Sequence, residues 1–411
     1  MKAIDSLSIR RAHPIKGANV FKIQVLNNIS DKGLTRFRAE RYDLSETENP
    51  DAVLLRSHQM SVAEVARPAV IAIGRAGAGV NNIPVAECTE RGIVVFNTPG
   101  ANANAVKELV MAGLLLSRRG IIQGMGYVNT LADITDNSEL NTLVEASKKQ
   151  YKGSELKGRT LGVLGLGAIG SMVARMALQM DMEVVGYDPA LSVEAAWRLP
   201  SQVQKMESMQ MLFSRADIVT LHVPALEQTR GMINASTLAT FKQGATLLNF
   251  SREEIVNNDD VLAALESGQL SQYISDFPNA ALIGKPGVLS TPHLGASTEE
   301  AEENCAMMVA DQVIDFLENG NIRNSVNFPT LVMERTAGFR IALANNNVPR
   351  ILGSVLSILA DRNINVIDML NRSRENVAYN IIDVESEPTE ELVREIEAIE
   401  GVTNVRVFGE V

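Results

Sequence analysis

Apolar and polar positions along the chain fall into short hydrophobic runs that alternate with stretches of helical period, and the alternation restarts twice. In the first third, Phe21–Leu26, Val53–Arg56, Val70–Gly74 and Val94–Asn97 predict strands, each followed by a polar or glycine-containing turn, and Asn102–Arg119 predicts a long helix. A polar stretch from Asn129 to Gly158, rich in Lys, Glu and Ser, separates these from a second series. That series opens at Thr160–Leu164 and continues through Glu183–Tyr187, Asp217–His222, Thr246–Asn249 and Gln272–Ser275. Strands alternating with helices imply α/β domains with doubly wound parallel sheets. A helix following Thr291–Thr298 carries apolar positions at Ala306, Val309, Val313 and Phe316, and Asn324–Arg335 reads as a linker.

The remainder changes character: Arg340–Asn345 strand, Pro349–Arg362 helix, Val366–Asn371 and Ala378–Val384 strands, Thr389–Ile399 helix, Val402–Phe408 strand. A βαββαβ order of this size predicts a small ferredoxin-like domain. Pro349 suits a first helical turn, and Ile351, Leu352, Val355, Ile358 and Leu359 form one apolar face.

A chain of 411 residues exceeds one ordinary core, so two or three domains are expected. The net charge of −11 offers no basic footprint for nucleic acid, although a local arginine cluster still suits a small anion. Only Cys88 and Cys305 occur, outside any metal-ligand spacing, so no metal or disulfide framework is expected and a reducing, cytoplasmic compartment fits best. Met1–Ile15 shows no secretory apolar region, and no run is long enough to span a bilayer, so no membrane partner is expected.

Gly165, Gly167 and Gly170 form G-x-G-x-x-G between the strand Thr160–Leu164 and the helix Ala168–Met180. The first glycine permits a tight turn, the second lets backbone approach a pyrophosphate, and the third lets helix and strand pack closely. The helix N-terminus adds N–H donors for phosphate. Asp188 ends the next strand, where a carboxylate accepts from ribose hydroxyls; no arginine follows closely, which favours NAD over NADP. The plain alternative is a glycine-rich turn with Asp188 as a solvated strand end, and the combination of strand, helix and acid weighs against it.

Four histidines narrow the search for an acid–base group. His13 lies in a polar N-terminal stretch, His58 just beyond a strand end, and His222 at the end of an apolar strand, where packing competes with a place near the cofactor. His293 sits in Ser290-Thr-Pro-His-Leu-Gly-Ala-Ser297, a loop of the kind that holds catalytic groups. Arg252 follows the strand Thr246–Asn249 on the carboxyl side of the sheet, suited to pair with a substrate carboxylate or, alternatively, with Glu253 or Glu254 at the surface. Arg56 and Arg75 each follow an apolar strand, and the loop Gly74–Asn82 offers backbone N–H groups for an anion; both arginines also read as simple strand-end caps.

With these residues in view the chain resembles the D-isomer-specific 2-hydroxyacid dehydrogenases and, among them, the D-3-phosphoglycerate dehydrogenases that carry a C-terminal ACT domain. The resemblance covers nearly the whole length. It rests on Arg75-Ala-Gly-Ala-Gly-Val-Asn81, Asn97-Thr-Pro-Gly100, Gly165–Gly170 with Asp188, Leu221-His-Val-Pro224, Asn249-Phe-Ser-Arg252 and Thr291-Pro-His-Leu-Gly-Ala-Ser297. It implies a discontinuous substrate domain (1–98 and 297–330), a Rossmann domain for NAD (99–296), an active site in the cleft, and an ACT regulatory domain (336–411). By the same resemblance Arg252 and His293 are catalytic. His293 takes the C2 hydroxyl proton, and Arg252 holds the carboxylate and the developing carbonyl.

The cofactor set implied is Gly165, Gly167, Ala168, Ile169, Gly170, Asp188, His222, Val223, Pro224, Phe250, Ser251, Arg252, Asp276, His293 and Ala296, with Asp276 on the nicotinamide amide. The substrate set is Arg56, Ser57, Arg75, Ala76, Gly77, Ala78, Gly79 and Asn102. The family's third catalytic group, a glutamate that orients the imidazole, is missing, since Ala280 falls at or near its position; Glu253 stands where relatives usually carry glycine. Asn345, Asn347 and Asn365 fall at effector positions for L-serine, while Arg350 replaces a usual glycine and is placed to block an effector.

The expected reaction is NAD-dependent oxidation of D-3-phosphoglycerate to 3-phosphohydroxypyruvate, the first step toward serine, in a homodimer or homotetramer. The rival readings are a dehydrogenase of another D-2-hydroxy acid and an NAD-sensing regulatory protein on the same fold.

Overall fold

A computed structural model describes residues 20–45 and 47–410, so His13 lies outside the described residues. The described residues divide into two compact units, one of those up to Ala101 together with those from Glu302 onward and the other of Asn102–Ala301.

In the first unit five parallel strands, β1 (Phe21–Val25), β2 (Tyr42–Asp43), β3 (Ala52–Leu55), β4 (Ala72–Arg75) and β5 (Val94–Phe96), form a sheet in the order β2-β1-β3-β4-β5. The order reverses between β1 and β3, and ligands of doubly wound sheets bind at the carboxyl ends of strands at such a switch point. Asn27, Arg56 and Arg75 lie there. The helix Glu299–Asn319 packs on this sheet through small residues: a side chain at Gly33 would strike the Ala306 backbone, and one at Gly74 would strike Val309. Ala306, Val309, Val313 and Phe316 are all buried, as their spacing predicts.

The second unit has seven parallel strands, β6 (Thr160–Leu164), β7 (Glu183–Tyr187), β8 (Gln204–Lys205), β9 (Ile218–Leu221), β10 (Ala245–Asn249), β11 (Leu270–Ser275) and β12 (Val288–Ser290), in the order β12-β11-β10-β9-β6-β7-β8. Its switch point lies between β6 and β9, where the glycine loop and His222 emerge. The core strands β6, β9 and β10 are buried at every position, threonines included, because both faces are covered. The polar stretch Asn129–Gly158 that separates the two series has structure of its own. It contains the helix Asn137–Ser147, capped by the Asp136 side chain on the Glu139 N–H, and a short 3-10 turn Lys148–Tyr151. Its apolar face is too sparse to stand out as a helical stripe among lysines and glutamates.

Within the first unit, β13 (Phe339–Asn346), β14 (Val366–Arg374), β15 (Val377–Val384) and β16 (Val402–Phe408) form an antiparallel sheet in the order β14-β15-β13-β16. Two helices, Ile351–Asp361 and Glu390–Glu397, pack on one face around Ile341, Leu343, Val355 and Ile382. On the other face Ala342, Tyr379, Ile381 and Phe408 join the core around Phe316 and Leu317. The segment read as a linker is part of that core, because Phe328, Leu331 and Met333 are buried and Ile322 bridges to Leu331. Pro349 also corrects the sequence reading. The helix starts at Ile351 with Arg350 as its cap at φ 78°, so Pro349 precedes the helix instead of opening it.

Candidate active site

The glycine loop has the shape a pyrophosphate needs. Gly165 adopts φ 89°, a left-handed conformation that favours glycine, and a side chain there would meet the His222 carbonyl. A side chain at Gly170 would collide with the Gly165 carbonyl, which locks the helix Ala168–Gln179 against the turn. Gly167, the cap of that helix, faces open space where a side chain would stand, so its backbone is accessible to a ligand. Asp188 is fixed beside the loop, with one oxygen accepting from the Leu166 N–H at 2.8 Å and the other from the Ala190 N–H at 2.9 Å. These residues fit a dinucleotide.

His222 follows β9, and its Nε2 lies 2.9 Å from the Thr220 hydroxyl. Its Nδ1 is buried without a partner, and burial pushes the imidazole pKa down to about 3, so the ring is neutral. Val223 accepts a hydrogen bond from the Ser251 hydroxyl, which ties the Val223-Pro224 turn to the end of β10. Phe250 is buried against the helix Ala103–Arg118, its ring against Gly113, where a side chain would be tight.

Arg252 leaves β10 with its carbonyl accepting from Asn249 Nδ2 at 2.9 Å and its own Nη1 donating to the Ser251 carbonyl at 2.6 Å. No ion pair joins it to Glu253 or Glu254 among the described residues. Glu253 instead accepts from Asn279 Nδ2 at 3.4 Å, beside Ala280.

His293 has φ 58° and is exposed, with its ring edge-on to Phe277 at 5.0 Å between centroids. Its loop is held by Asp276, which is buried. One carboxylate oxygen accepts from the Thr291 hydroxyl (2.6 Å) and the Leu294 N–H (2.7 Å), the other from the Gly295 N–H (2.6 Å). Asp276 therefore anchors the histidine loop. The sequence reading assigned it to the nicotinamide amide and had no signal for this second task. Ala296 follows in the same loop. Among the described residues no hydrogen bond or ion pair joins the His293 ring to a carboxylate.

In the first unit, Asn27 at φ 68° sends its Oδ1 to the N–H groups of Arg56, Ser57 and His58 at 3.4, 3.1 and 2.6 Å. The sequence reading missed Asn27, a polar residue after a strand whose partners lie far along the chain. Arg75 Nε donates to the Arg56 carbonyl at 3.0 Å, and Asn82 Nδ2 donates to the same carbonyl and to that of His58. A side chain at Gly77 would strike the Arg75 guanidinium. The Ala76 and Gly77 N–H groups are spent on Leu55 and Arg75 carbonyls, whereas those of Ala78 and Gly79 enter no described backbone bond. Arg56 Nη2 meets Glu302 Oε1 at 2.7 Å. His58 pairs with Glu64 at 2.9 Å. Asn102 caps the helix Ala103–Arg118 without a side-chain bond to it.

In the antiparallel sheet, Asn345 is buried; its Oδ1 accepts from Asn380 Nδ2 and its Nδ2 donates to the Asn346 carbonyl, each at 2.7 Å. Asn347 Nδ2 donates to the Glu375 carbonyl at 3.0 Å, and the exposed Asn365 offers its carbonyl to the Glu385 N–H. No group of three or more His, Cys, Asp or Glu side chains among the described residues is placed to hold a metal ion.

Residues 127–295 match the family described as D-isomer specific 2-hydroxyacid dehydrogenase, NAD binding domain. The chain is 32% identical over 369 residues to a D-3-phosphoglycerate dehydrogenase of Haemophilus influenzae, covering 86% of this chain and 85% of the relative. One from Methanocaldococcus jannaschii is 30% identical over 356 residues, covering 85% of this chain and 64% of that one. The solved structure of a cofactor (NAD+) bound 3-phosphoglycerate dehydrogenase from Entamoeba histolytica is similar at 25% identity and a TM-score of 0.60, over 76% of this chain and all of that one.

Proposed function

The chain belongs to the D-isomer specific 2-hydroxyacid dehydrogenases, and on that premise we propose that it oxidises D-3-phosphoglycerate to 3-phosphohydroxypyruvate with NAD. The observation that carries this reading is the arginine pair at the switch point of the first sheet, Arg56 and Arg75, beside unspent backbone N–H groups, which suits a phosphate. NAD, when bound, supplies the hydride acceptor.

The chain's own residues do the rest. Arg252, splayed from the carboxyl end of β10, receives the substrate carboxylate and polarises the C2 oxygen as it becomes a carbonyl. His293 takes the C2 hydroxyl proton, and Asp276 fixes the loop that presents it. With Phe277 as the ring's neighbour in place of a carboxylate, loop rigidity is what orients the imidazole. Asp188 serves the adenosine ribose, and the Gly165–Gly170 backbone the pyrophosphate.

The rival substrate, an unphosphorylated 2-hydroxy acid, draws its support from Glu302, which already sits on Arg56. Following NADH with 3-phosphoglycerate and a panel of 2-hydroxy acids separates the two: preference for the phosphorylated substrate supports the proposal, and preference for any other 2-hydroxy acid refutes it.

Residues 336–411 are taken as an ACT module. Control by L-serine would act through Asn345, Asn347 and Asn365, and it must displace the bonds that the Asn345 amide already makes inside the sheet end. A serine titration that leaves the rate unchanged removes it. The exposed apolar side chains Ile121, Ile122, Met125 and Val128 on the helix Ile121–Asn129 support a homodimer or homotetramer. Sedimentation at a monomer mass would reject that.

A further inference from the structure

The charges around Arg56 do more than await a phosphate. Glu302 stands in the first turn of the helix Glu299–Asn319, and that helix is fixed in register: Ala306 abuts Gly33, Val309 and Val313 abut Gly74, Lys32 pairs with Glu303 at 2.7 Å, and Arg36 pairs with Asp311. The Arg56 backbone is fixed from the other side by Asn27. Two rigid supports thus bring the Glu302 carboxylate to 2.7 Å from the Arg56 guanidinium, with side chains 45% and 37% exposed. Cys305, one turn further along the helix and buried, lies beside these charges: burial pushes its thiol pKa up, Arg56 and Arg75 oppose that rise and Glu302 adds to it.

We propose that Glu302 is an internal competitor for the anion site, a carboxylate that holds Arg56 until the phosphate of a phosphorylated 2-hydroxy acid displaces it. This rests on the reading of Arg56 and Arg75 as the phosphate site. Because both groups reach water, the pair is weak enough to exchange, and only side chains need move. Because the helix is fixed, the displaced carboxylate stays near the incoming dianion and opposes it. Glu302 therefore raises KM for a phosphorylated substrate and leaves untouched a 2-hydroxy acid with nothing to offer Arg56. Arg75 Nε donates to the Arg56 backbone carbonyl.

The test uses the full chain, Glu302→Gln, Glu302→Ala as a second variant, and Glu303→Gln as a control that breaks only the neighbouring pair with Lys32. Titration calorimetry with inorganic phosphate is read beside KM and kcat for 3-phosphoglycerate. The expected result is phosphate binding tightened about fivefold in both Glu302 variants, a comparable fall in KM, little change in kcat, and no tightening in the Glu303 control. Unchanged or weaker phosphate binding in both Glu302 variants overturns the proposal. Should 3-phosphoglycerate prove not to be a substrate, the enzymatic reading fails by itself while the phosphate titration still decides for or against Glu302.

Discussion

At the N-terminal end of the helix Glu299–Asn319 an arginine and a carboxylate meet partly in water, Arg56 with Glu302. At its C-terminal end, Arg340 grips Asp383 through Nε at 2.6 Å and Nη2 at 2.8 Å, with neither side chain more than 3% exposed. The same guanidinium donates to the carbonyls of Asn319 and Met333 at 2.9 Å and of Glu334 at 3.3 Å, so it closes the helix end and ties the antiparallel sheet to it. Arg406 repeats the device, donating to the Phe316 and Leu317 carbonyls while stacking over Phe316 and Phe408. The chemistry of the two ion pairs is alike and only their surroundings differ. A water-exposed pair exchanges for a ligand, whereas a buried one with every donor satisfied serves as a structural lock.

Removing the buried partner should have the largest effect. Arg340→Leu strands Asp383 and is expected to cost about 3–5 kcal/mol of stability in denaturant titration, while KM of the folded fraction stays as it was. An altered KM at unchanged stability would dissolve the distinction between the two ends. Arg75→Ala should behave in the opposite way, with KM for 3-phosphoglycerate rising roughly tenfold to a hundredfold and stability nearly unchanged, because a charge-assisted contact to ligand is lost from a half-exposed site.

Arg350→Gly should stabilise the chain by about 1 kcal/mol in the same titration, since φ 78° is a glycine conformation. An unchanged midpoint would mean that the arginine side chain repays its strain. A further effect concerns pH. His222 has its folded-state pKa depressed from 6.5 to about 3, so the stability it confers is full above pH 6.5 and is lost as pH falls toward 3. His222→Gln should flatten that acid slope by at most one proton, as read from unfolding midpoints across that interval; an unaltered slope would mean the ring titrates normally.

The parts of the fold written in local sequence were readable in advance. Gly165–Gly170 sits between a strand and a helix, and the apolar period of Ala306, Val309, Val313 and Phe316 marks the buried face of a helix. The parts missed are set by contacts between distant residues. Asn27 organises Arg56–His58 across the switch point, Asp276 clamps the histidine loop, and Glu302 reaches Arg56 only because the long helix folds back on the first sheet. No periodicity records such pairings. The stretch Asn324–Arg335 misled for a related reason: its scattered Phe328, Leu331 and Met333 lack a period, yet each fills the core beneath the antiparallel sheet.

The most direct test of the account follows NADH formation from 3-phosphoglycerate and NAD by the full chain and by His293→Ala. The account predicts turnover by the unaltered chain and a fall in kcat of roughly a hundredfold to ten-thousandfold in the variant, with NAD binding retained. Full activity in His293→Ala, or no turnover of 3-phosphoglycerate by the unaltered chain, would contradict it.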